Sequence, residues 1–343
     1  MIELKAENGY AVVVLTPFQY INVLEYLYQN NVDKKECILI LISHLNKSVR
    51  QIQDIGFTNE FSSLHMPMIG NKNIWLRFLR TYLLLNKYLY LTPIVGNINN
   101  NWSAYLIQKS KSAITPIIVD DGAATLPLIK KRNLGDFTIP QPKSNSKIGL
   151  FQMFFLKTNN QIKKKLTFFT IFKSLKGKNY DNVEMNCLEL LKNNYGLISS
   201  SLMDEIWFIG SPFVQLGMIS YRDYEIVINK IVSYSHKMGI KLKYFNHRIE
   251  KGFLFEGAET VNNNTPFEIF YLNSKRKPKY IIGFYSTSLF ALAAMNVPSS
   301  LISIYFDQNV RQKGDWKSID LVYDAIENED KIKLVNIKDL NNL

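Results

Sequence analysis

The strongest constraint on this chain is an alternation of two hydrophobic periods, and it occurs twice. Short continuous apolar runs, Tyr10–Leu15 (YAVVVL), Cys37–Ile42 (CILILI) and Ala113–Val119 (AITPIIV), alternate with stretches at helical spacing, Phe18–Gln29, Ile74–Asn86 and Trp102–Ser110. Tyr88–Leu91 reads as a weaker strand of the same series. Uninterrupted β-branched runs belong to strands buried on both faces, hence to parallel sheets covered by helices. The pattern restarts at Glu205–Ile209 and runs through helix Tyr221–Lys237, strand Lys241–Phe245, helix Pro266–Leu272, strand Tyr280–Phe284, helix Ser288–Met295 and strand Ser300–Tyr305. A helix and a short strand at Lys333–Val335 are expected in the charged tail. Each series predicts a Rossmann-like domain of an α/β fold, with a ligand cleft between the two at the carboxyl ends of their strands. The expected division is 1–200 and 201–343, with a hinge near Ser199–Asp204. A Lys- and Phe-rich insertion at 139–179 interrupts the first domain without clear alternation.

Composition narrows the function classes. The 343 residues are 47% hydrophobic, enough for two cores, and carry a formal charge of +12. That surplus favours polyanionic partners: nucleic acid, acidic membrane or anionic substrates. Only Cys37 and Cys187 occur, far apart, so neither a disulfide framework nor a structural zinc site is expected. The four histidines, His44, His65, His236 and His247, show no HExxH spacing. No signal-peptide pattern opens the chain, and the longest apolar candidate, Ile74 to Val95, is broken by Arg77, Arg80, Asn86, Lys87 and Pro93. A cytoplasmic protein is the expectation.

The chemistry is sought at the strand ends. Asp120-Asp121-Gly122 follows the third run directly: one carboxylate can act as a general base, although the triplet is also ordinary turn chemistry. No third ligand of suitable type makes the pair a metal site. Gly210-Ser211-Pro212 ends the strand of the second half, where a glycine admits close backbone approach to a ligand or merely closes a turn. His247-Arg248 follows Lys241–Phe245 and suits an anionic leaving group: the imidazole donates, the guanidinium pairs with phosphate. Ser286-Thr287-Ser288 precedes a helix, which makes a phosphate cradle or a plain N-cap. Glu268 is the acid of a capping box with Thr265, or a carboxylate gripping ribose hydroxyls.

In this order, these elements resemble the bacterial sialyltransferases, in particular glycosyltransferase family 52. The matching pieces are Thr16-Pro17-Phe18-Gln19, Val119-Asp120-Asp121-Gly122, Phe208-Ile209-Gly210-Ser211-Pro212, Tyr244-Phe245-Asn246-His247, Pro266-Phe267-Glu268 and Gly283-Phe284-Tyr285-Ser286-Thr287-Ser288. The resemblance implies a GT-B fold, CMP-sialic acid as donor, no metal or other cofactor, and inversion at the anomeric carbon. It implies a glycan acceptor of lipopolysaccharide or capsule biosynthesis, galactose-containing, and no nucleic-acid partner. By the same resemblance Asp120 or Asp121 is the base and His247 acts on the CMP phosphate. Ser286, Thr287 and Ser288 hold that phosphate. Glu268 contacts the cytidine, Gly210, Ser211 and Pro212 line the donor site with Arg248, and Thr16, Gln19 and Gly122 lie on the acceptor side.

Two departures stand out. Arg248 replaces the Pro of the His-Pro motif, and Phe213 replaces the Asp that follows Gly-Ser-Pro in the lipooligosaccharide enzymes, where it is the proposed base. A side chain such as Phe213 takes no proton, which moves the base to Asp120 or Asp121. The segment 151–178 has Phe154, Phe155, Phe168, Phe169 and Phe172 among seven lysines. It reads as a peripheral contact with acidic membrane at the inner face, or as a helical pair with its Phe residues in the core. A transferase for another sugar nucleotide and a non-enzymatic basic binding protein stay open as alternatives.

Overall fold

The computed structural model describes residues 9–43, 46–69, 73–139, 150, 154–173, 175, 181–195, 201–247, 249–250, 253–262 and 265–342. The chain divides into two compact units, residues 1–190 and 191–343.

The first unit holds strands β1 (Tyr10–Val14), β2 (Cys37–Leu41), β3 (Ser63–His65), β4 (Thr92–Val95), β5 (Ile117–Val119), β6 (Thr167–Thr170) and β7 (Asn182–Met185). They form one sheet of order β3-β2-β1-β4-β5-β6-β7, with every pairing parallel. Helices α1 (Pro17–Gln29), α2 (Asn46–Ile55), α3 (Ile74–Lys87), α4 (Asn101–Lys109) and α5 (Thr125–Leu134) supply crossovers. The reason lies in the period of two along each strand. Val12, Val14, Leu39 and Leu41 enter one apolar cluster with Tyr20, Leu24 and Leu27 of α1. Ala11, Val13, Ile38 and Ile40 enter the other with Phe78 of α3 and Trp102 and Tyr105 of α4. Each such Val, Leu or Ile contributes about 1.5–3 kcal/mol by leaving water.

Three local expectations are corrected. Tyr88–Leu91 is not a strand: Tyr88 caps α3, the Leu91 N–H donates to the Tyr88 carbonyl (3.1 Å), and pairing with β1 begins only at Thr92. The third run is strand only over Ile117–Val119, after the donor-less Pro116. The Lys/Phe-rich insertion is no helical pair at its aromatic end, because it contributes β6. Phe168 and Phe169 point into opposite apolar clusters, and Phe172 is buried beside them. Those three rings are therefore closed to a membrane; residues 151–153, 174 and 176–178 lie outside the described residues. Arg132 of α5 pins this segment. Its guanidinium donates to both oxygens of buried Asp181 (2.6 and 3.0 Å) and to the carbonyls of Ile162 and Lys164 (2.9 and 2.8 Å).

In sequence α6 (Glu189–Tyr195) spans the unit boundary. The second unit holds β8 (Leu202–Ile209), β9 (Lys241–Phe245), β10 (Glu259–Val261), β11 (Lys277–Gly283), β12 (Ser300–Tyr305) and β13 (Ile332–Asn336), in the order β10-β9-β8-β11-β12-β13, all parallel. Its helices are α7 (Tyr221–Met238), α8 (Phe267–Asn273), α9 (Thr287–Met295) and α10 (Trp316–Glu327). In both sheets the order reverses at the centre, between β1 and β4 and between β8 and β11. Ligands of open parallel sheets bind outside the carboxyl ends at such reversals. No helix among the described residues is long and apolar enough to cross a membrane.

Candidate active site

In the first unit, three neighbouring strands carry the acidic motif and its supports: β1 leads into Thr16 and Gln19, β4 into Asn97, and β5 into Asp120-Asp121. The two aspartates part as an extended chain requires. Asp120 points inward with no exposed surface, and its Oδ2 accepts from the Ile171 N–H at 2.8 Å. Its Oδ1 is buried with no hydrogen-bond partner among the described residues. Burial pushes its carboxyl up to about 7, against the lowering effect of the Ile171 N–H. Asp121 is partly exposed, and each of its oxygens accepts from a carboxamide: Oδ1 from Gln19 Nε2 and Oδ2 from Asn97 Nδ2, both at 2.5 Å. Gln19 is itself fixed, because its Oε1 accepts from the Leu15 N–H at 2.8 Å. Thr16 caps α1 through the Gln19 N–H (3.3 Å), with Pro17 in the first turn. Gly122 follows with φ +75°, the left-handed region that favours glycine.

In the second unit, the adjacent strands β9, β8 and β11 bring His247, Gly210-Ser211-Pro212 and Ser286-Thr287-Ser288 to one edge. A buried carboxylate ties the first two together. Glu250 Oε2 accepts from the His247 N–H (2.6 Å), and its Oε1 accepts from the hydroxyls of Tyr224 (3.0 Å) and Tyr244 (2.9 Å). The Ser211 N–H donates to the Tyr224 hydroxyl at 3.2 Å. Burial pushes Glu250 up to about 6. Gly210 lies so close that a Cβ there would stand 2.2 Å from Glu250 Oε2, so a larger residue has to displace that carboxylate. Nδ1 of His247 accepts from the Ile249 N–H at 3.3 Å, which leaves the proton of a neutral ring on Nε2. Arg248 lies outside the described residues.

At the third strand end, Ser286 caps α9, accepting from the Ser288 N–H at 3.2 Å. The Ser288 hydroxyl donates to Glu268 Oε1 at 2.7 Å. Glu268 thus forms no capping box: the N-cap of α8 is Pro266, without a side-chain cap. Burial raises the Glu268 carboxyl above its ordinary range. Phe213 is fully buried among Phe284, Tyr285, Phe306 and Trp316, with ring centroids 5.1–5.6 Å away. The position that would carry a base in the resembled enzymes is here an aromatic core.

Asn97, Glu250, Tyr224 and Tyr244 belong to these sites without a clear signal in the sequence. Asn97 escapes the sequence reading because the apolar run Tyr88–Leu91 begins four residues before β4, so Gly96-Asn97 does not read as a strand end. Glu250 carries a faint signal, an acid three residues after His247, but its tyrosine partners come from β9 and from a helix.

No protein-family model matches the chain, and no curated protein matches it. Among solved structures it is similar to an α/β-galactoside α-2,3-sialyltransferase of the luminous marine bacterium Photobacterium phosphoreum. The TM-score is 0.52 at 15% identity, over 97% of this chain and 99% of that one. A 2,6-sialyltransferase of Photobacterium sp. JT-ISH-224, solved with CMP and lactose, gives 0.49 at 11% identity over 95% and 78%. Arabidopsis thaliana UGT89C1 complexed with quercetin gives 0.48 at 8% over 97% and 87%. At 15% identity the first of these likenesses is one of fold, and the fold is α/β of GT-B type: two Rossmann-like units in one chain.

Proposed function

We propose that the chain is a metal-independent, inverting sialyltransferase. It moves sialic acid from CMP-sialic acid to a hydroxyl of a bacterial surface glycan, galactose-containing in the simplest case. The observation that carries this reading is the division of labour between the paired acids. Asp120 is consumed by the core, while partly exposed Asp121 is aimed from the carboxyl end of β5 by two neutral amides. Amide donors fix the orientation of a carboxylate. Such a group can take a proton from an acceptor hydroxyl and stabilise positive charge at an anomeric carbon.

In this reading the acceptor oxygen attacks the anomeric carbon as its proton passes to Asp121. The bond from that carbon to the CMP phosphate oxygen breaks, its electron pair stays on that oxygen, and the phosphate leaves with a hydrogen bond from His247 Nε2. Ser286, Thr287 and the N–H groups opening α9 meet the remaining phosphate charge. Gly210, Ser211, Pro212, Glu268 and Arg248 belong to the donor side, and Thr16, Gln19 and Gly122 to the acceptor side. Glu250 is a positioning residue, holding the His247 backbone against the Gly210-Ser211 turn.

A donor panel in excess EDTA tests this. CMP release from CMP-sialic acid with formation of a sialylated lactose product is expected. Transfer only from a uridine- or guanosine-linked sugar, or activity that EDTA abolishes and Mn²⁺ restores, overturns it.

A further inference from the structure

The outer face of α3 does not enter the buried core described above. Its inner face does: Phe78, Thr81 and Leu85 are buried, and Phe78 packs on Trp102 (centroids 5.3 Å) and Tyr82 on Tyr105 (5.8 Å). On the other side Trp75, Leu76, Leu79 and Leu83 are 42%, 43%, 38% and 58% exposed. At 100° per residue these four fall on one stripe, with exposed Arg80 and Lys87 along its flank. Phe155, 44% exposed, adjoins it edge-on to Tyr82 of α3 at 5.6 Å, and its chain neighbour Phe154 is 71% exposed. Single exposed apolar residues are ordinary; four large ones on one helix face are not.

Charge names the occupant. From Phe61 to Val119, the stretch that carries α3, the chain holds six Lys and Arg and no acid. A second copy docking face to face would oppose two such positive surfaces. A nucleic acid would match the charge but offers nothing to Leu76, Leu79 and Leu83. An anionic bilayer takes both: apolar side chains enter the acyl boundary, and Arg and Lys meet the headgroups. We infer that α3, with Phe154 and Phe155, is a docking surface for an acidic phospholipid membrane.

The 14 residues of α3 are too few to span a bilayer, so the helix lies along the surface. Its first turn follows β3 and therefore stands at the carboxyl edge of the sheet, the edge that carries Asp121. Docking does not depend on the transferase reading. Of the segment 151–178 it takes in only Phe154 and Phe155, because Phe168, Phe169 and Phe172 belong to the core.

The test is co-sedimentation of the full chain with vesicles of phosphatidylcholine, with and without phosphatidylglycerol. Binding is expected only with phosphatidylglycerol and to weaken with salt. Leu79→Gln/Leu83→Gln and Arg80→Gln/Lys87→Gln should each lower it by roughly tenfold or more. Thermal midpoints should be unchanged, because all four side chains are exposed. A blue shift of tryptophan fluorescence on binding should vanish in Trp75→Phe. No binding to anionic vesicles, equal binding by all variants, or a concentration-dependent dimer that the Leu79/Leu83 variant abolishes, each overturns the inference.

Discussion

Replacing Asp120 by asparagine isolates a single ionisation. The carboxyl is fully buried and pushed from 3.8 to about 7. Each unit corresponds to about 1.4 kcal/mol, so holding the ionised form inside the fold costs about 4 kcal/mol. The folded protein keeps this proton to higher pH than the unfolded chain does. Stability is therefore greatest below the unfolded value, falls as pH rises, and levels off above about 7. Asparagine cannot ionise, while its carbonyl can still accept from the Ile171 N–H. Denaturant unfolding of both proteins at a series of values from about pH 4 to about pH 8 reads the effect as a difference. Glu250, raised to about 6, gives a slope of the same sign but is common to both and cancels. The variant should gain on the wild type by up to about 4 kcal/mol across the series. Parallel curves would refute the reasoning and show that Asp120 titrates as an ordinary surface acid.

Other substitutions probe separate contacts. Gly210→Ala puts a methyl 2.2 Å from Glu250 Oε2 and 3.0 Å from the Phe245 carbonyl. It should destabilise by about 1–3 kcal/mol in thermal unfolding. Arg132→Met strands the Asp181 carboxylate, whose side chain is 1% exposed, and should cost about 3–5 kcal/mol in the same assay. Phe213→Asp, which would restore the acid of the resembled enzymes, instead buries a charge among four aromatic rings. It should give little folded protein by circular dichroism rather than higher activity.

Much of this architecture is legible because parallel sheets write themselves as uninterrupted apolar runs. Cys37–Leu41, Lys241–Phe245 and Ser300–Tyr305 are strands within a residue of where those runs lie. Legibility fails where charge and strand coincide. β6 is a four-residue Thr-Phe-Phe-Thr run between lysine clusters, and period alone does not separate its two buried rings from an amphipathic segment. Tyr88–Leu91 fails for the opposite reason: its apolar residues follow a helix end and turn before the ladder starts. At the candidate site, Asp120 and Asp121 are distinguishable in sequence only by the rule that neighbours point apart. Which one enters the core is decided by Ile171, fifty-one residues on, and by amides on two other strand ends. The Glu250 hub is a three-dimensional fact of the same kind.

The most direct test of the central claim compares Asp121→Asn with Asp120→Asn in transfer from CMP-sialic acid to lactose, with CMP binding measured in parallel. Asp121→Asn should lose turnover by about 10²-fold or more while binding CMP as the wild type does. Asp120→Asn, whose side chain never leaves the core, should retain transfer. Wild-type turnover in Asp121→Asn would contradict the account.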